Sequence, residues 1–176
     1  IMEILQSIKD LRMYGIITTN GTLISKERTN QLIAMKWDEI HFSIDGACAH
    51  THDTLRGRSG SFKKTVSTLC RLRRKCSYKM HLAIHTVVNN QNYTEIPQII
   101  ELADALGVQR VDFDDIIAYT PEQKKLVLTE SQRRDVQQIA QHTLQIAKQY
   151  GIATTLEQYL STSQRIRGTD VPTKHP

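Results

Sequence analysis

The chain has 176 residues, a normal length for one domain, and 39% of it is apolar, which supports a sizeable core. No run of about eighteen apolar residues occurs, so no transmembrane helix is expected. No signal-peptide pattern opens the chain, because Ile1 to Arg12 already read as an amphipathic helix containing Glu3 and Asp10. The chain thus starts in mid-helix, and a piece of a longer protein is expected. The net charge is +5 and unevenly placed. No Asp or Glu lies between Thr54 and Thr94, a stretch that carries Arg56, Arg58, Lys63, Lys64, Arg71, Arg73, Arg74, Lys75 and Lys79. Such a segment attracts nucleic acid or an anionic partner, or is simply one solvated helix face. No aromatic residue interleaves with Arg71 to Lys75, so bases have nothing to stack on and nucleic acid is not the expected partner. Cys48, Cys70 and Cys76 match no zinc, haem or CxxxCxxC spacing. An odd, sparse set suits a reducing compartment, so the cytoplasm is expected, with Cys70 packed in a helix.

Along the chain the apolar period alternates between helix and strand. The first helix carries Ile4, Leu5, Ile8 and Leu11 and is expected to stop at Gly15. A short strand follows from Ile16 to Thr19 and turns at Asn20-Gly21. Ser25 caps a second helix that buries Leu32 and Met35, and a strand follows from Glu39 to Ile44. His50-Thr51-His52 is placed in a loop. Ser61 starts a helix with Val66, Leu69 and Cys70 on one face, and the strand Met80 to Val88 comes next. Asn92 and Glu95 have capping-box spacing ahead of the stripe Ile96, Ile99, Ile100, Ala103 and Leu106, which Gly107 ends. After the strand Arg110 to Asp114 and a longer loop, Thr129 and Gln132 form a second capping box. Their helix runs to Tyr150, Gly151 closes it, and the last strand is Ile152 to Thr155. This alternation predicts an α/β fold with five parallel strands and helices outside. A closed eight-stranded barrel needs about 250 residues, so an open sheet or part of a barrel is expected. Residues 1–160 form the folded unit, and 161–176 read as a polar linker or disordered end.

Ligands in parallel α/β folds bind at the carboxyl ends of the strands. Asn20 ends the first strand, either bordering a ligand or only making a turn. In the second strand Ile40, Phe42 and Ile44 alternate with His41, Ser43 and Asp45, so one face is apolar and the other polar. Ser43 and Asp45 on one face suit a ligand rich in hydroxyls, such as a ribose. Arg56 precedes a Gly-rich loop that enters a helix and is placed to hold a carboxylate, or sits at a surface loop tip. His50 and His52 lack a third ligand, so no metal is expected there. In the third strand the sets His81, His85, Asn89 and Leu82, Ile84, Thr86 compete for the inner face, and alternation does not decide between them. Asn89 ends that strand. Asp112, Asp114 and Asp115 are expected on the solvated rim rather than in acid–base work. No residue is assigned a catalytic role.

Together these runs resemble a known family. Gly15-Ile16-Ile17-Thr18-Thr19-Asn20-Gly21-Thr22-Leu23-Ile24 resembles the third strand and turn of radical S-adenosylmethionine (SAM) enzymes. Ile40 to Gly46 resembles their fourth strand with its Ser-x-Asp-Gly. His52-Asp53, Arg56-Gly57 and Gly60-Ser61-Phe62 continue the pattern, and Val87-Val88-Asn89 followed by Asn92 resembles the end of the fifth strand. The resemblance covers about residues 1 to 155 and is closest in flavour to the SPASM-type subgroup that matures peptides and sulfatases. It implies a parallel, TIM-like partial (β/α)6 barrel, here without its first two strands. It implies a [4Fe–4S] cluster that cleaves SAM to a 5′-deoxyadenosyl radical, which takes hydrogen from a small-molecule or peptide substrate. An electron donor such as flavodoxin or ferredoxin is implied as well. Matched by position, Ser43 and Asp45 fall near the SAM ribose and amino-acid part, Arg56 near its carboxylate, and Asn20 and Asn89 near the nucleoside. The cluster motif CxxxCxxC and the Gly-Gly-Glu strand are expected before Ile1 and auxiliary-cluster cysteines after Pro176, so this chain alone is expected to be inactive. The alternatives are a degenerate, non-catalytic relative that binds a peptide or RNA, and another α/β barrel enzyme such as a Schiff-base aldolase. No Lys lies in the strand segments, which counts against the latter.

Overall fold

A computed structural model of the chain describes residues 1–78 and 80–160. The segment 161–176, expected as a linker or disordered end, lies outside the described residues, as does Lys79. The elements run α1 (Met2–Asp10), β1 (Ile16–Thr19), α2 (Lys26–Ala34), β2 (Glu39–Ser43), α3 (Ala49–Arg56), α4 (Ser61–Lys75), β3 (His81–Val88), α5 (Ile96–Ala105), β4 (Arg110–Asp115), α6 (Pro121–Lys124), α7 (Glu130–Tyr150) and β5 (Ala153–Thr154). Short 3-10 turns lie at Tyr93–Glu95 and Leu156–Tyr159. All five strands are parallel and lie side by side in chain order. Each crossover therefore returns one strand further along the same sheet, as the alternation predicts.

One face of the sheet is apolar and covered by helices. Ile40, Phe42 and Ile44 are fully buried, as are Ile84, Val111 and Phe113. They meet Leu69 and Leu72 of α4, Ile99 and Ile100 of α5, and Val136 and Ala140 of α7 in one core. This burial decides the face of β3 that alternation left open. Leu82, Ile84, Thr86 and Val88 face the helices, and Thr86 satisfies its hydroxyl by donating to the Ile44 carbonyl at 2.7 Å. His81 and His85 therefore lie on the opposite face. The register sets Thr18, His41, Ala83 and Arg110 in one row, and Ser43, His85 and Asp112 in the next.

Four local expectations fail. In α1 the buried stripe is Leu5 with Met2 and Ile8 against the core, and Ile4 and Leu11 turn outward, 61% and 71% exposed. The helix stops at Asp10, with Arg12 in the left-handed region (φ 58°), so Gly15 is not its terminator. Gly15 lies instead under Trp37, whose ring would be 2.4 Å from any Cβ there. Asn92 and Glu95 make no capping box, because both side chains are recruited elsewhere. His50-Thr51-His52 is helical rather than loop, forming the body of α3. The other predicted caps form: Ser25 accepts from the Arg28 amide, and Thr129 and Gln132 close a reciprocal box on α7.

Candidate functional site

The polar groups converge where β2 ends. Asp45 follows the strand directly and is 7% exposed. Its Oδ1 accepts from the Val87 amide of β3 at 3.0 Å, and its Oδ2 pairs with Arg56 Nε at 2.8 Å. Its own amide donates to His52 Nδ1 at 3.2 Å, and Asn92 Nδ2 donates to its carbonyl at 2.8 Å. A carboxylate taken from water needs such partners, and Asp45 has one on each oxygen. Arg56 is the last residue of α3, so the helix the sequence missed is what carries the guanidinium back to the strand end.

Gly46 permits this fold-back. A Cβ at position 46 would sit 2.6 Å from the His52 amide nitrogen and 2.7 Å from Thr51 Cβ. The start of α3 is fastened by Glu95, which accepts from the Ala47 amide at 2.7 Å and from the Thr51 hydroxyl. Asp53 then organises the next helix, accepting from the Gly60 amide, the Ser61 hydroxyl and the Phe62 amide at 2.6, 2.8 and 2.8 Å. The bond from the Phe62 amide is the main reason its carboxyl is held below the ordinary range, with Ser61 and Gly60 adding to it. His52 is 1% exposed and tilts against Phe62, ring centres 5.7 Å apart. Burial holds its pKa below the usual imidazole value, and the Arg56 charge acts the same way.

The expected site residues divide. Asp45 and Arg56 are in direct contact. Ser43 is half-buried on the open face, beside His85 in register. Asn89 is buried; its Oδ1 accepts from the Gln91 amide at 2.9 Å and its Nδ2 donates to the Val87 carbonyl at 3.2 Å. It adjoins Asp45 through Val87 and Asn92. Asn20 is exposed and folds onto its own turn, accepting from the Thr22 amide at 3.1 Å, with no bond to the other four.

The open face carries a second polar set that sequence reasoning left without a role. His41 Nε2 donates to Glu39 at 2.6 Å, and its Nδ1 lies 3.8 Å from Asp112 Oδ2. Arg110 Nε reaches both Asp112 oxygens, at 3.0 and 2.9 Å. His85 Nε2 donates to Asp114 Oδ2 at 2.7 Å. Burial would raise the Glu39 carboxyl, but the bonds from His41 and Tyr14 outweigh it and hold it below its ordinary value. Asp112, expected on a solvated rim, is 7% exposed and faces inward; Asp114 and Asp115 are exposed as expected. Alternation along β2 marked His41, but the facing of β3 needed tertiary burial. The segment 116–128 ties back to the end of β3, where Asn90 donates to the Leu126 and Lys125 carbonyls.

Among the described residues, no three His, Cys, Asp or Glu side chains converge to hold a metal ion. His50 and His52, two apart on a helix, point to different sides, one exposed and one buried. The basic stretch is partly structural. Arg71 Nε donates to Thr29 at 2.9 Å and its terminal nitrogen to the Ile24 carbonyl, tying α4 to α2.

No family model matches the chain. It is 36% identical over 107 residues to an AdoMet-dependent heme synthase of Methanosarcina barkeri, covering 61% of this chain and 30% of that protein. A PqqA peptide cyclase of Rhizobium meliloti is 26% identical over 112 residues, covering 64% and 29%. Among solved structures, Streptococcus suis SuiB bound to S-adenosylmethionine superposes with a TM-score of 0.73 at 15% identity, over 88% of this chain and 35% of that one. The chain is similar to radical SAM enzymes in sequence and in fold. anSMEcpe with bound AdoMet shares the fold at a TM-score of 0.64 and 15% identity, over 86% of this chain and 43% of that one. The chain spans about 30% of the length of the curated relatives it matches.

Proposed function

We propose that this chain is the SAM-binding arc of a radical SAM enzyme. The observation that carries the reading is the Asp45–Arg56 pair at the end of β2, on the strand whose open face also presents Ser43. Ser43 and Asp45 offer a hydroxyl and a carboxylate to the ribose and amino-acid part of SAM. Arg56 meets Asp45 through Nε at 2.8 Å, and its terminal nitrogens are proposed to hold the SAM carboxylate. Asn20 and Asn89 border the nucleoside, and each keeps at least one amide hydrogen uncommitted. With a [4Fe–4S] cluster held elsewhere in the whole enzyme, SAM bound by these residues would serve as the source of a 5′-deoxyadenosyl radical. The described residues do not fit that cluster. Cys48 is exposed, Cys76 donates to the Tyr78 carbonyl, and no metal-binding trio forms with Cys70.

The substrate is proposed to be a peptide or a small molecule, the reductant flavodoxin or ferredoxin, and the compartment the cytoplasm. The peptide option has support from SuiB, which has been solved bound to the precursor peptide SuiA. No helix of the described residues is long and apolar enough to cross a membrane. The test is SAM affinity of the full-length protein by anaerobic calorimetry. Arg56→Ala is expected to weaken binding by about tenfold or more, the size of one lost charge-assisted bond. Unchanged affinity would remove Arg56 from the site. Peptide binding with no SAM binding or cleavage would favour a degenerate binding barrel.

A further inference from the structure

His52 lies outside the face assigned to SAM, yet it is built into the same corner. It and Arg56 stand four apart on α3, hence on one side of the helix, and both grip Asp45. Arg56 takes the carboxylate and His52 takes the backbone amide, at 2.8 and 3.2 Å. Because Nδ1 accepts that bond, the ring proton is on Nε2. Nε2 is buried and has no hydrogen-bond partner among the described residues. An unpartnered buried donor is a cost that Phe or Leu at this position would avoid, with the same packing against Phe62. What an apolar residue lacks is the Nδ1 lone pair.

We propose that His52 is a positioning residue for SAM, holding the end of β2 in its binding geometry only while its imidazole is neutral. This rests on the SAM-binding reading above. Protonating Nδ1 converts the acceptor into a donor facing the Asp45 amide, so the bond is lost. The charged groups around the ring are Asp45 and Asp53, which favour protonation, and Arg56, which opposes it. Burial adds to Arg56 and keeps the ring neutral near pH 7. The outcome is a SAM site that loosens in acid through a residue that does not touch SAM.

The experiment follows SAM affinity of the full-length protein from about pH 7.5 to about pH 5, beside exchange protection of the Asp45 amide. In the wild type both are expected to fall on acidification, affinity by roughly tenfold. His52→Gln keeps an acceptor that does not titrate, so it should bind SAM near the wild-type level at neutral pH with a flat profile. His52→Phe should weaken binding at neutral pH, also with a flat profile. A wild-type profile as flat as that of His52→Gln, or undiminished affinity in His52→Phe, overturns the proposal. The amide readout separates the two layers: if SAM fails to bind but Asp45 protection still tracks His52, the SAM reading fails and the positioning role stands.

Discussion

At the scale of single residues, the corner after β2 is set by close approach and by charge. Gly46→Ala forces the His52 amide or Thr51 to move, since the new Cβ meets them at 2.6 and 2.7 Å. Overpacking of this kind costs about 1–3 kcal/mol, read as a lower denaturant midpoint. Gly57→Ala meets nothing within 4 Å but imposes φ +61° on an L residue, at about 1–2 kcal/mol. Gly57→Asn should recover most of that loss, and Gly46→Asn should not. The same corner gives a pH dependence of stability. His52 and Asp53 both have folded-state pKa values below their unfolded ones. Each therefore contributes stability that is present above its unfolded value and is lost as pH falls through its folded one. The His52 contribution begins to fade below about pH 6.5 and the Asp53 contribution below about pH 4. Chemical denaturation at stepped pH should show two acid phases, with the upper one absent in His52→Gln.

At the scale of elements, helix starts decide the architecture, and they are made in three ways. Thr129 caps α7 locally, through a box written in its own four residues. Thr129→Ala is expected to cost about 1 kcal/mol, seen as a lower thermal midpoint. α4 has Gly60 at its N-cap and borrows Asp53, seven to nine residues upstream, for its first amides and hydroxyl. α5 begins without a side-chain cap, after a 3-10 turn, because Asn92 is spent on Asp45 and Glu95 on α3. Asn92→Ala should thus loosen the strand end at Asp45 more than it frays α5, which amide exchange at both places distinguishes.

At the scale of the whole molecule, the sheet is a divider. Its helix side is a continuous core, and its open side is a polar surface built from β2, β3 and β4. Ile84→Ala, in the middle of that core and fully buried, is expected to cost about 2–5 kcal/mol without altering the polar side. The positive charge is on the outside. Lys63, Lys64, Arg73 and Arg74 are exposed on α4, while Arg71 is committed to α2. If α4 is a platform for an acidic partner, reversing Arg73 and Arg74 must lower that partner's affinity and flatten its salt dependence. Unchanged binding leaves α4 a solvated face.

The alternation of strands and helices, their parallel order, the apolar face of β2, and the boxed start of α7 followed from the sequence alone. Each depends on periodicity or on partners within one turn, and such interactions are complete before the chain folds back on itself. Ser43, Asp45 and Arg56 could be named from their motifs, but not the contact between Asp45 and Arg56, because the intervening α3 has no apolar stripe strong enough to announce a helix. The inward face of β3, the burial of Asp112, the loss of the Asn92 box and the tautomer of His52 were decided only by tertiary structure. Asn92 and Glu95, which could have capped their own helix, instead met partners more than forty residues away, and His52 met the Asp45 amide across the fold-back at Gly46; in a dry interior such partners prevail.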